Sequence, residues 1–271
     1  MNKLYKSLIY DGFVSLSVLD TTELVNDAIK IHNLDSERAK TLGGLLTCAA
    51  YMSGCLKSDK GAVSITVKSN GDSSTVSVSG DINLHIRGYI DGDGTLSGGT
   101  MTVIKDDGLY RPFIGTCELT GNDVSQNLMN YFDKSEQIPT AISFGVEMEG
   151  GKCVKAGGVV MQLLPGYTDE IMELAEEKMQ SFVEPCKVLK ELGADGIMKE
   201  HFKDIDEKSI YVLYPVYQCN CTRKKIESVI LPLGEEELLK TQVELGSVKV
   251  HCHYCNTDYE FTRDDIKKLF N

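Results

Sequence analysis

Two cysteine pairs near the C-terminus, Cys219-Asn220-Cys221 and Cys252-His253-Tyr254-Cys255, constrain this chain more than any other feature. Four thiols in two chelating pairs are the donor set of a tetrahedral zinc site. His251 and His253 flank Cys252 and are alternative ligands, but the two pairs already complete a tetrahedron, so Cys219, Cys221, Cys252 and Cys255 are the expected ligands of one Zn²⁺. Such a site leaves no coordination position open, which argues against hydrolytic catalysis. The chain also lacks a His-Glu-x-x-His run, a Gly-x-Ser-x-Gly elbow and a phosphate loop, and a non-enzyme is expected. The single residue inside the first pair is tighter than structural zinc modules generally use. It leaves two sulfurs able to close on each other once the metal is gone, so the spacing predicts a switch as well as a staple.

Other cysteines set the compartment. The chain has nine, and Cys48, Cys55, Cys117, Cys153 and Cys186 are scattered. An odd, irregular set in 271 residues is unlike a secreted disulfide scaffold and fits thiols kept reduced. Asp11 falls too early for a signal peptide, and the longest uncharged stretch, Thr41 to Leu56, is short and glycine-broken. A soluble cytoplasmic protein is expected. A formal charge of −12 argues against a general binder of nucleic acid or anionic membranes.

The pattern along the chain predicts an α+β fold in three parts. Val14, Leu16 and Val18 alternate as a half-buried strand, Thr21 or Thr22 caps a helix towards His32, and Asp35 caps a longer one to about Lys57. Cys48 and Cys55 then share one face of that second helix as small core residues. Strands are expected at Val63–Val67, Val76–Val78, Asn83–Ile90 and Thr100–Ile104, with Asn70-Gly71 as a hairpin turn. Asp91-Gly92-Asp93-Gly94 starts like a calcium loop, but Val103 stands where the closing acid belongs, so it is read as a hairpin turn. A helix over Asn122–Phe132 and strands over Ala141–Met148 and Cys153–Leu163 complete a mixed-sheet domain, residues 1–166. The glycine pairs at 150–151 and 157–158 mark turns or close backbone approach.

Residues 167–211 read as an amphipathic helical linker. Thr168 caps a helix with Ile171, Leu174, Ala175, Met179 and Phe182 on one stripe; Pro185 interrupts it, and Val188, Leu189 and Leu192 resume it before Gly193 and Gly196. Tyr167 to Lys208 holds 12 acidic and 6 basic residues, half of the whole chain's net charge. A segment so charged and interrupted is marginal unless its stripe is covered. Residues 212–271 form the cysteine module, with helices capped by Thr222, Gly234 and Thr262 and short strands through Val248–Val250 and Tyr259–Phe261. About 60 residues give too little core for secure folding, and a bound metal supplies on the order of 10 kcal/mol. Arg223, Lys224 and Lys225 are expected to favour thiolates. Loss of two sulfurs to oxidation would then unfold the module and release the linker.

The chain resembles the redox-regulated chaperones of the heat shock protein 33 family over nearly its whole length. The resemblance rests on the two cysteine pairs and on Leu233-Gly234-Glu235-Glu236-Glu237 between them. It rests equally on Arg87-Gly88-Tyr89, on Ser135-Glu136-Gln137-Ile138-Pro139, and on the run Ala156 to Gly166. One departure lies at Ser69 to Ser74, where many members carry Gly-Asp-Gly-Pro. The resemblance implies an ATP-independent holdase that binds unfolding client proteins, inactive while it holds Zn²⁺. Its oxidised form carries the disulfides Cys219–Cys221 and Cys252–Cys255, exposes client-binding surface as the linker unfolds, and tends to dimerise. Two other classes compete. An interaction protein with a purely structural zinc ribbon, binding RNA or ribosomes, predicts that oxidation only inactivates. A thiol–disulfide oxidoreductase using Cys252 and Cys255 would place that pair at a helix N-terminus.

Overall fold

A computed structural model describes residues 1–70, 74–109, 111–202, 205 and 207–270, without the side chain of Glu207. The chain divides into two compact units, Met1–Tyr217 and Gln218–Asn271.

In the first unit, the alternating Val14, Leu16 and Val18 are all fully buried on β2 (Val14–Asp20). β1 (Lys3–Ile9) pairs antiparallel with it from Lys3↔Asp20 to Ile9↔Val14. The sequence pattern does not announce β1, because its neighbours Leu4 and Tyr5 are both buried, on opposite faces, and that erases the period of two. α1 (Thr22–His32) starts after Thr21, whose hydroxyl lies 2.7 Å from Thr47 Oγ1 instead of capping the helix. Asp35 does cap α2 (Ser36–Ser53), accepting from Arg38 N at 3.0 Å. α2 stops short of Lys57. Cys48 is therefore a core residue, whereas Cys55 lies past the helix end and is exposed, so the two share no helix face.

Two sheets enclose α2. One has the order β10-β1-β2-β9-β8, with β8 (Thr140–Glu149), β9 (Lys152–Leu163) and β10 (Tyr211–Leu213). The other has the order β11-β5-β4-β3-β6-β7. Its strands are β3 (Ala62–Lys68), β4 (Thr75–Asp81), β5 (His85–Asp91), β6 (Thr100–Asp106), β7 (Phe113–Glu118) and β11 (Val216–Tyr217). The parallel pairing of β11 with β5 makes this second sheet mixed. α2 is buried from Leu42 to Ser53, with Gly43 close enough to its neighbours that a Cβ there would meet Val25 and Val146 at 3.0 Å. β3 and β4 form the expected hairpin, but Gly71 of the anticipated turn lies outside the described residues. Asp91 to Gly94 is not a hairpin turn. β5 pairs with β4 and β6 pairs with β3, so the stretch between them crosses over two strands. Asp93 Oδ1 instead accepts Thr95 N at 2.8 Å, a local Asx turn.

The glycine pairs behave differently from one another. Gly150 and Gly151 turn the β8–β9 hairpin with φ of 57° and 78°. Gly157 and Gly158 lie inside β9 with φ of 143° and 155°, where added Cβ atoms would fall 2.0 Å from Leu19 O and 1.8 Å from Ser143 O. Only glycine fits there.

The outer face of the first sheet carries Tyr5, Leu16, Val18, Val159 and Met161, and two helices cover it. These are α4 (Asp169–Gln180), capped by Thr168, and α5 (Pro185–His201), with Pro185 in its first turn; they follow α3 (Val124–Tyr131), which Asp123 caps by accepting from Gln126 N at 2.8 Å. Ala175, Phe182, Leu189, Ile197 and Met198 are buried against the sheet, while Leu174 of the expected stripe is 41% exposed. α5 kinks at Gly193 (φ 65°), whereas Gly196 continues the helix. The linker helices are thus bound to the first unit by its second apolar core. Tyr211–Leu213 and Val216–Tyr217, expected at the linker's end and the start of the cysteine module, are strands of the first unit.

Candidate metal centre

The unit Gln218–Asn271 is built around its cysteines. Its order is α6 (Arg223–Ile230), α7 (Glu235–Leu245), β12 (Val248–Cys252), β13 (Thr257–Phe261) and α8 (Arg263–Leu269). Cys219 and Cys221 lie in the extended segment before α6. Thr222 then turns the chain into the helix, its hydroxyl accepting from Lys225 N at 3.2 Å. Cys252 closes β12, and Cys255 stands in the turn before β13, so the second pair belongs to a β-hairpin and not to a helix N-terminus. That placement removes the signature of a dithiol oxidoreductase. α8 carries a capping box, in which Thr262 and Asp265 satisfy each other's backbone N–H groups. Beneath these elements the described core is small: Ile226, Ile230, Leu238, Val248, Phe261 and Ile266.

The four Sγ atoms of Cys219, Cys221, Cys252 and Cys255 lie within 4.8 Å of one another, each residue half-buried. Cys219 Sγ is 3.8 Å from Cys252 Sγ, and Cys221 Sγ is 3.1 Å from Cys255 Sγ. A tetrahedron with Zn–S bonds of about 2.3 Å has sulfur–sulfur edges of about 3.8 Å. The spacing and the all-thiol chemistry fit zinc. The histidines do not join the cluster. His251 Nδ1 sits 2.7 Å from Asp258 Oδ1 across the hairpin, and the His253 ring packs edge-on to it at 5.0 Å.

Tyr259 is a participant that the spacing of cysteines does not reveal. Its hydroxyl lies 3.1 Å from Cys221 Sγ, although its place in β13 reads only as a strand residue. Burial opposes ionisation of Cys221, but hydrogen bonds from Tyr259, Cys255 and Cys219 outweigh it and bring the thiol down to about 7. Burial raises Cys255 to about 11, and Cys219 is pushed up further still by the same cause. The expected basic escort is used elsewhere. The Arg223 guanidinium stacks on Phe261 at 4.5 Å and lies 3.2 Å from Asp265, while Lys225 donates to Asn220 Oδ1 at 3.0 Å.

The remaining cysteines sit in the first unit. Burial raises Cys153 to about 12 and Cys186 to about 11, the marks of unreactive thiols.

Comparison with known proteins covers almost the entire chain. A family model described as Hsp33 protein matches residues 2–262. A 33 kDa chaperonin of Clostridium novyi (strain NT) is 32% identical over 291 aligned residues, covering 99% of this chain and 97% of the relative. A 33 kDa chaperonin of Bacillus cytotoxicus is also 32% identical, over 98% of this chain and 97% of the relative. The crystal structure of a 33 kDa chaperonin (heat shock protein 33 homolog) from Thermotoga maritima superposes with a TM-score of 0.87 at 25% identity, covering 99% of this chain and 97% of that one.

Proposed function

The chain belongs to the Hsp33 family, and on that premise we propose that it is an oxidation-activated, ATP-independent holdase chaperone whose switch is the four-cysteine centre. Three parts divide the work: the core of residues 1–166, the linker of 167–217, whose end supplies β10 and β11 to the sheets of the first unit, and the switch of 218–271. The protein is not an enzyme; it acts in the cytoplasm on unfolding client proteins, and on neither nucleic acid nor membranes. No described helix is long and apolar enough to cross a bilayer.

The observation that carries this reading is four thiols within 4.8 Å in a unit whose described core is six buried side chains. Cys219, Cys221, Cys252 and Cys255 would hold one Zn²⁺ in the reduced state. Bound zinc supplies the cross-link between the Cys219–Cys221 segment and the β12–β13 hairpin, and with it the folding energy the core lacks. Oxidation then works through the thiols. Formation of each disulfide removes two protons and two electrons from a cysteine pair and reduces one hydrogen peroxide to two waters. Two disulfides consume all four ligands. Cys219–Cys221 and Cys252–Cys255 are the pairs that the resemblance to the Hsp33 family implies. In the folded centre all four sulfurs stand within 4.8 Å of one another, so near approaches occur within each pair as well as across the two segments.

The client-facing consequence follows from the first unit. The face covered by α4 and α5 is apolar, and those helices bear much of the chain's negative charge on their other side. Their release exposes a broad apolar surface of the kind unfolded chains bind. The oxidised form then pairs into homodimers.

The test is a count. Zinc and free thiols are measured in reduced protein before and after peroxide at mild heat, and each sample is assayed for keeping an unfolding client soluble. Loss of one zinc and four thiols, with client retention only afterwards, is the expected result. Zinc loss without any client retention would make the centre a structural ribbon and favour an interaction protein.

A further inference from the structure

The strands joining the linker to the switch are unusually short. β10 is three residues and β11 is two, and Gln218 of the second unit follows β11 directly. β10 sits at the edge of the first sheet, on β1. The register pairs Leu4 with Leu213, Tyr5 with Val212 and Lys6 with Tyr211. β2 covers all of β1 on its other side. Ser7, Leu8 and Ile9 therefore have, among the described residues, no strand beyond β1, and Leu8 is 54% exposed.

The residues of β10 face two apolar environments. Leu213 packs with the inner core beside Leu4, and Val212 packs with the outer core beneath α5. Next to Val212 lies a cavity of about 470 Å³ lined by Tyr5, Met198, Phe202, Ile205 and Ile210. Tyr211 is 70% exposed, so β10 fills its place poorly. An edge strand left without a neighbouring strand, with apolar ground on both faces, accepts another extended chain.

We infer that the outer edge of β1 is a client-binding site, occupied in the reduced protein by β10 and, after β10 peels away, by an extended stretch of consecutive apolar residues from an unfolding protein. The inference rests on the holdase reading and names the surface that such activity would use. β10 displays the ligand's chemistry itself: Val212 and Leu213 point to opposite faces that are both apolar, while Tyr211 at its start stands largely in solvent. That selects buried-strand sequences, which are apolar at every position, over amphipathic ones. The trigger is covalent continuity. Unfolding of the switch frees the chain at Gln218, and five paired residues stand between that point and the edge of β1.

Hydrogen–deuterium exchange of the full chain tests this in three states: reduced with zinc, oxidised, and oxidised with a thermally unfolding client. Segments 3–9 and 211–217 should both be protected when reduced, and both should lose protection on oxidation. With client, segment 3–9 should regain protection while 211–217 stays open, which separates client docking from return of β10. If the client stays soluble while segment 3–9 keeps its protection on oxidation, or loses it and never regains it, the β1 site is wrong and the holdase reading stands. If no client is retained in any state, both fall.

Discussion

On the proposed function four sulfur atoms carry the folding of the second unit, and each is separately removable. Cys255→Ser leaves three thiolates around the centre and withdraws a partner from Cys221. Zinc content should drop well below one per chain, and residues 218–271 should lose amide protection, because a metal-dependent unit forfeits on the order of 10 kcal/mol. Intact protection with no bound zinc would contradict this. At Gly158, a methyl group would collide with Ser143 O on a backbone at φ 155°. Gly158→Ala should cost more than about 3 kcal/mol in urea unfolding of the first unit. The ligand cysteines were legible because chelation requires short sequence spacing. Tyr259 was not, since its contact with Cys221 joins residues far apart along the chain through the β12–β13 register. Arg223 was misjudged for a similar reason: adjacency to Cys221 in sequence says nothing of the Phe261 ring that captures it.

Among elements, α4 and α5 are the pieces that the proposed switch would release, and their attachment can be weakened without touching a cysteine. Phe182 is fully buried and stacks on Phe202 at 5.9 Å between ring centres. Phe182→Ala should cost about 3–5 kcal/mol of docking. Residues 169–201 should then exchange faster in the reduced protein, and client retention should appear without oxidant. A variant that binds zinc, exchanges fast and retains no client would uncouple the helices from activity. Asp195 on α5 accepts from Lys3 Nζ at 2.6 Å and from the Tyr5 hydroxyl on β1. These bonds, Lys3 first, hold its carboxyl below the usual range. The unfolded chain therefore takes the proton first. The contribution is complete above the unfolded carboxylate value of about 3.9 and is lost as pH falls through the lower folded value. Asp195→Asn should lower the melting temperature of the first unit near neutrality, with the difference disappearing in strong acid. A difference that grew on acidification would reverse the assignment. The helices and the alternating strands were readable from caps and periodicity. β1 was not, because Leu4 and Tyr5 are buried on opposite faces and leave no period; β10 was not, because it is only three residues long; and the crossover at Asp91–Gly94 looks locally like any turn.

At the scale of the whole molecule, one chain combines a large first unit with three apolar clusters among the described residues and a small second unit with one. The α+β class and the metal-dependent module follow from composition and cysteine spacing. The boundary at Tyr217 does not, since β10 and β11 are too short to leave a pattern and are held by partners near the N-terminus and on β5. On the proposed function the switch would run in order from the centre to the second unit, the edge strands and then the linker helices. Chelation alone should mimic the early steps. A strong zinc chelator under reducing conditions should unfold residues 218–271 while the thiols stay free, and persistence of that unit's protection would contradict a metal-dependent fold. The most direct measurement of the central claim follows zinc, free thiols and client solubility together in one peroxide time course at mild heat. The account predicts that one zinc and four thiols disappear first and that client retention rises only with them. Client retention already present in the fully zinc-bound, reduced protein would contradict it.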